Sequence, residues 1–254
     1  MATQQADRAR AWTDPAGKTT DGVRGGADAK NAQSDLRPWV VIAILGLAGF
    51  AIVTGIVAAG VTIAFDRPLL DALRGLGQYM EVWRDVSASA NLPLIAIGVG
   101  IVAWLIWRHH VAEAIIVVGL LAVITAGSEL VKQAVARPRP PGFVNGELGV
   151  VYSYPSGHIL EATVIYGIIA VLVWRSSLPR AIRLFIPILF AAILGLIAVS
   201  RVAVGAHYPS DVLGGFLAGI GFLALFVIAT ELLRRHDARK RNAGRDGRAQ
   251  SDRA

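Results

Sequence analysis

From Pro38 to Phe65 the chain carries no charged residue. About 20 consecutive apolar residues suffice for a helix to cross the hydrocarbon core of a bilayer, so this stretch reads as a membrane span. Further apolar runs cover Leu92 to Trp107, Val111 to Val131, Ile159 to Trp174, Leu184 to Ser200 and Val212 to Leu233. Six crossings are expected, an all-α integral membrane bundle over residues 38–233. A balance of 54% apolar to 17% charged residues agrees, since a soluble domain of this length carries more charge.

Glu113 and Glu129 interrupt the third of these runs, and Glu161 interrupts the fourth. A carboxylate in hydrocarbon is costly and faces a partner or a wet cavity. Glu113 is expected to mark a helix end at the interface, whereas Glu161 suggests a polar neighbour within the bundle.

Residues 1–37 have neither an apolar stripe nor a signal-type hydrophobic core. They are expected to form a disordered cytoplasmic tail, with the first span as an uncleaved anchor. Residues 234–254, RRHDARKRNAGRDGRAQSDRA, hold eight of the 25 cationic residues. A basic run directly after a span marks the cytoplasmic side and contacts anionic headgroups, so the net charge of +7 points to membrane lipids and not to nucleic acid. The chain has no cysteine, which excludes disulfides, thiolate nucleophiles and cysteine metal sites.

With six spans, both tails and the second and fourth loops share one side and hold 18 Lys and Arg residues, against seven on the other. By the positive-inside bias the tails are cytoplasmic, and the first, third and fifth loops face outward. In the first outer loop Asp66 is an expected N-cap, followed by Pro68 and an apolar face of Leu69, Leu73, Leu76, Met80 and Trp83. Such a helix lies in the outer headgroup region or packs on the bundle.

The unusual residues collect in the third and fifth loops, KQAVARPRPPGFVNGELGVVYSYPSGH and SRVAVGAHYPSD. Fixed cations there exceed carboxylates, which implies an anionic ligand, phosphate before others. Ser156 suits the N-cap of the fourth span, Gly157 lets a ligand approach the backbone, and a helix N-terminus offers N–H groups to phosphate oxygens. YPSD, from Tyr208 to Asp211, repeats the arrangement at the sixth span. Of five histidines, His109, His110 and His236 fall on the cytoplasmic side as surface residues, while His158 and His207 share the outer face. Asp211 stands four residues after His207 and is expected to take the Nδ1 proton, leaving the other ring nitrogen as a lone pair able to attack phosphorus.

Three blocks complete the pattern. Lys132, Arg139 and Pro140 form Lys-x6-Arg-Pro; Pro155 to His158 read PSGH; and Ser200, Arg201, His207 and Asp211 form Ser-Arg-x5-His-x3-Asp. In this order they resemble the type 2 phosphatidic acid phosphatase family, whose superfamily includes glucose-6-phosphatase-like enzymes and vanadium haloperoxidases. The resemblance covers about residues 66–230 and implies a six-helix membrane bundle with its site on the outer face. It also implies His207 as a nucleophile forming a phosphohistidine, Asp211 as its orienting partner and His158 as the acid for the leaving oxygen. Lys132, Arg139, Arg201, Ser156 and Gly157 would hold the phosphoryl oxygens, with no metal and no other cofactor.

A lipid phosphate ester or diphosphate is the implied substrate, with phosphatidic acid, phosphatidylglycerophosphate and undecaprenyl pyrophosphate as candidates. The same site could instead bind vanadate for halide oxidation, or hold a phosphate-bearing solute for transport. Arg137 lies outside the signature positions and would bind headgroup, phosphate or neither. Glu129 either pairs with Lys132 on its own helix face or caps the span. Glu161, one turn after His158, either tunes that histidine or satisfies a neighbouring helix.

Overall fold

In the computed structural model, residues 35–61, 63–75, 79, 81–83, 85, 91–141 and 152–251 are described. The expected N-terminal tail, most of the third outer loop and the distal part of the first-loop helix lie outside them. The described residues are helical: α1 Arg37–Ala58, α2 Asp66–Arg74, α3 Asn91–Trp107, α4 Val111–Val135, α5 Gly157–Trp174, α6 Arg180–Ala203 and α7 Pro209–Ser251. Among the described residues one isolated antiparallel bridge joins Pro138 to Tyr152.

Helices α1, α4, α5, α6 and α7 (to Asn242) are long and apolar enough to cross a membrane, and α3 is a shorter apolar helix over Pro93–Trp107. The chain is a multi-pass membrane protein. Large apolar side chains such as Ile44, Leu45, Ile95, Ile115 and Ile188 are more than 60% exposed, as expected of surfaces that face lipid tails. The core lies between helices, around Leu94, Leu105, Val117, Ile124, Ile159, Val164, Ile168 and Phe226.

The first span is shorter than its uncharged run. Helix α1 stops at Ala58, and Gly60 turns the chain with a φ of 68°, a left-handed conformation that glycine adopts without strain. Asp66 is not the N-cap of α2: that position is Phe65, and the buried Asp66 carboxylate reaches across to Ser210. Helix α2 packs on α6 and α7; Asp66 and Leu70 are buried while Leu69 is 47% exposed, and Leu76 and Met80 of the expected apolar face lie outside the described residues. At the other end of the chain, residues 234–251 continue α7 as helix.

Helix α7 packs along α1 and α5. Lipid tails are as apolar as leucine, so helices in a bilayer associate where small residues let their backbones meet. A Cβ added to Gly46 of α1 would lie 2.8 Å from Gly221 N, and one on Gly215 of α7 would lie 2.5 Å from Ser156 O at the start of α5. The second contact brings the N-termini of α5 and α7 together. Tyr154 anchors the preceding segment to α1 through a 2.9 Å hydrogen bond between its hydroxyl and that of Thr54.

Glu113 is more than an interfacial marker. It is buried in the first turn of α4, accepts a 2.9 Å hydrogen bond from Arg234 Nε, and lies 3.0 Å from His110 Nδ1. Nearby, Arg175 donates to the Thr230 hydroxyl at 3.1 Å. These polar contacts join the start of α4 and the end of α5 to α7, at the end of the bundle opposite the three motifs.

Candidate active site

The three motifs meet where α4 and α6 end and α5 and α7 begin. Helix α4 terminates at Ala136, whose left-handed backbone (φ 49°) turns the chain out of the helix after Lys132. Arg137 and Arg139 follow in extended chain, and the Arg137 carbonyl accepts a 2.9 Å hydrogen bond from Ser153 N. Helix α6 delivers Arg201 in its last turn, then Gly205 (φ 73°) swings the chain so that Ala206 N and His207 N both bond to the Arg201 carbonyl. Both segments are positioned by backbone geometry that the sequence marks only by a glycine or not at all.

His207 is buried, 2% exposed. Its Nδ1 lies 2.8 Å from the Ser153 carbonyl, which can only accept, so Nδ1 carries the proton. Its Nε2 lies 3.4 Å from Arg201 Nη2, which can only donate. The two contacts agree on the neutral tautomer with a lone pair on Nε2. The Asp211 carboxylate stands 3.7 Å from Nδ1, beyond hydrogen-bond range, so the expected proton acceptor is replaced by a main-chain carbonyl and Asp211 acts through its field. Burial pushes the His207 imidazole down to about 4. The Asp211 carboxylate opposes that shift, and Arg201 and Arg139 add to it.

Arg139 Nη1 donates to the Ala206 carbonyl at 2.7 Å, bracing the turn before His207. Burial lowers the Arg139 pKa, with Asp211 opposing. Lys132, Arg139, Arg201 and His207 all stand within Coulombic reach of His158 in the first turn of α5. Lys132 Nζ and Ser128 Oγ lie 3.6 and 3.7 Å from the point where a Cβ on Gly157 would stand. Both are ordinary van der Waals distances, so Lys132 and Ser128 flank the bare backbone of Gly157.

Ser156 occupies the N-cap position of α5 in extended conformation, yet its side chain makes no cap hydrogen bond. Its amide donates to the Asp211 carbonyl at 3.1 Å, and its hydroxyl is buried without a partner. The same holds for Ser128 Oγ and His158 Nε2. Buried polar atoms are nearly always satisfied, so three orphans beside the same cations describe a place for a polar ligand. Ser128, one turn before Lys132 on α4, escaped the sequence reading; its i, i+4 spacing from Lys132 was the available signal.

Lys132 Nζ also pairs with Glu129 Oε1 at 2.5 Å, so Glu129 engages the lysine from its own helix face. The Thr125 hydroxyl lies 3.4 Å from Glu161 Oε1, a contact to a neighbouring helix. Arg137 engages the Asp211 side of the cluster. It donates to Asp211 Oδ1 at 2.5 Å, Ser210 Oγ at 2.7 Å and Asp66 Oδ2 at 2.7 Å, with its guanidinium 4.1 Å above the Tyr208 ring. Burial lowers its pKa, and Asp211 and Asp66 outweigh that and raise it. Asp66 was expected only as a helix cap, and its contacts with Arg137 and Ser210, like the Ser153 carbonyl against His207, were not expected from the sequence. Among the described residues no group of three His, Cys, Asp or Glu is arranged around a metal position.

Comparison with known proteins follows the same segment. The sequence model of the PAP2 superfamily matches residues 112–235. Phosphatidylglycerophosphatase B of Bacillus subtilis (strain 168) is 32% identical over 116 residues, 43% of this chain and 56% of that protein. Undecaprenyl-diphosphatase of Sulfolobus acidocaldarius is 33% identical over 128 residues, 45% of this chain and 54% of that protein. The matches thus span about half the length of these curated relatives. The crystal structure of a transmembrane PAP2-type phosphatidylglycerolphosphate phosphatase from Bacillus subtilis superposes with a TM-score of 0.58 at 21% identity, over 74% of this chain and 96% of that one. At that identity the likeness is one of fold. Every motif residue lies inside the segment that matches the PAP2 superfamily model, on a bundle similar in fold to that structure.

Proposed function

We propose that the protein is a membrane-bound, metal-independent phosphatase of phosphorylated lipids, working through a phosphohistidine on His207. One observation carries this reading: the neutral Nε2 of His207 lies 3.4 Å from Arg201, in a group where His207, Lys132, Arg139 and Arg201 all act on His158, and Ser156, Ser128 and His158 each have a buried, unpartnered polar atom. The arrangement suits a tetrahedral anion next to a nucleophile. Phosphoryl transfer depends mainly on positioning and on neutralising the equatorial oxygens, which fixed cations and the N-termini of α5 and α7 can do.

In the first step Nε2 attacks phosphorus, the bond from phosphorus to the lipid oxygen breaks, and protonated His158 gives its proton to that oxygen. The positive charge on the phosphorylated imidazole faces Asp211 through Nδ1. Water then attacks phosphorus while His158 takes its proton, the P–N bond breaks with its electron pair returning to Nε2, and phosphate leaves with His207 neutral again. The substrate class is a lipid phosphate monoester or diphosphate, as in the names of the relatives, and a polyprenyl diphosphate carrier suits a site on the outer leaflet. Six crossings, with α3 as a short second one, put both termini in the cytoplasm and the motif end outward. The 18-to-seven split of Lys and Arg favours that orientation. The helix α2 then borders the outer headgroups.

Rapid quenching with labelled lipid substrate tests the covalent step. Label retained in alkali, lost in acid and absent from His207→Ala is expected. Turnover with no trapped protein phosphate, undiminished in His207→Ala, would remove the histidine mechanism.

A further inference from the structure

The structure assigns a positioning role to Arg137 and Asp66, outside the three motifs: together they hold Asp211 with its charge balanced, so that His207 keeps its Nε2 lone pair. This rests on the reading of His207 as nucleophile. Asp211, Asp66 and Ser210 are all buried, at 0, 3 and 0% exposure. Arg137 bridges the two carboxylates, while Ser210 N and Oγ donate to Asp66 at 2.8 and 2.6 Å and Tyr208 N donates to Asp211 Oδ2 at 2.8 Å. Each carboxylate oxygen in the network therefore has a donor.

Arg137 governs both neighbours on the Nδ1 side of His207. Its side chain engages Asp211. Its carbonyl holds Ser153 N at 2.9 Å, and the Ser153 carbonyl is the partner of Nδ1. The charged and titratable groups facing His207 are Asp211 from α7, Arg201 from α6, Arg139 from the segment after α4 and His158 from α5. Of these, Asp211 alone favours an imidazolium. Without the guanidinium, its carboxylate acts on the ring at full strength, Nε2 takes a proton at higher pH, and a protonated nitrogen cannot attack phosphorus. Asp66 comes from the first outer loop, 144 residues from Ser210, and precedes the segment matched by the family. It shares the guanidinium with Asp211 and so sets how much of that carboxylate's charge is cancelled.

The test is a pH titration of histidine ring nitrogens by 15N NMR on the full chain in detergent, with the His207 signal assigned from His207→Gln. In Arg137→Gln the midpoint for His207 should rise by about one unit or more, a tenfold gain in proton affinity. The acid limb of kcat/KM should move the same way. In Asp66→Asn, where Arg137 serves Asp211 alone, the midpoint should stay at or below that of the parent. If Arg137→Gln does not fold, Asp66→Asn/Arg137→Gln removes one buried carboxylate with the cation and carries the same expectation of a rise. An unmoved midpoint in a folded Arg137 variant, or a rise in Asp66→Asn matching that of Arg137→Gln, overturns the positioning role. The titration is read without substrate. Phosphate release surviving in His207→Gln would overturn the nucleophile reading, whereas an unmoved midpoint overturns the positioning role alone.

Discussion

His207 combines two properties that rarely coexist: it is buried, yet it presents a lone pair to a cluster of cations. Burial and cations both disfavour the imidazolium, which holds the pKa at about 4 against the usual value near 6.5. The sign for stability follows. Because the folded value is depressed, this histidine's contribution is complete above about 6.5 and is lost as pH falls towards about 4, where the unfolded chain binds a proton that the fold refuses. Thermal unfolding of the parent and of His207→Gln should therefore converge between those limits as pH is lowered, and parallel curves would show that His207 titrates normally. Around it, replacing Arg201 or Lys132 by Met should reduce kcat by about 100-fold, in line with removal of one preorganised donor to a developing charge. At this scale the motif residues could be read from the sequence, since their chemistry and short spacing are local. The Ser153 carbonyl could not: every residue has a carbonyl, and only the fold selects this one as the partner of Nδ1.

At the scale of the elements, the site depends on two helix starts being brought together. Gly215 permits this contact, and a methyl there would meet the Ser156 carbonyl at 2.5 Å. Gly215→Ala is expected to cost about 1–3 kcal/mol of stability, as overpacking does, and to reduce turnover by displacing Ser156 and His158. Unchanged activity in that variant would show that the α5 start tolerates movement. The opposite end offers a contrast. Glu113→Ala removes a buried acceptor of Arg234, whose side chain is 42% exposed, so the loss should be about 1 kcal/mol with kcat unaffected. Helix identities were legible because uncharged runs demand helices in a bilayer. The burial of Asp66 in α2 was not. It depends on the Asp66 carboxylate meeting Ser210 and Arg137, partners 144 and 71 residues away.

On the scale of the whole molecule, the bundle segregates its charges by end. The motif end gathers Lys132, Arg139 and Arg201 around His158, and the other end joins helices through Glu113, Arg234, Arg175 and Thr230. Orientation in the membrane is open to a clean experiment, because the chain contains no cysteine. With Leu69→Cys and Leu178→Cys, an impermeant maleimide should label the first on intact cells and the second only after permeabilisation; the reverse pattern would place the site in the cytoplasm. Arg201, His207 and the unpartnered Ser156 together favour hydrolysis of a phosphorylated lipid without a metal. That conclusion meets its sharpest check in phosphate release by the purified protein in detergent with a chelator present, assayed on phosphatidic acid, phosphatidylglycerophosphate and undecaprenyl pyrophosphate. Release from at least one of these lipids, undiminished by chelator and lost in His207→Ala, is expected; release abolished by chelator, or none from any of the three, would refute it.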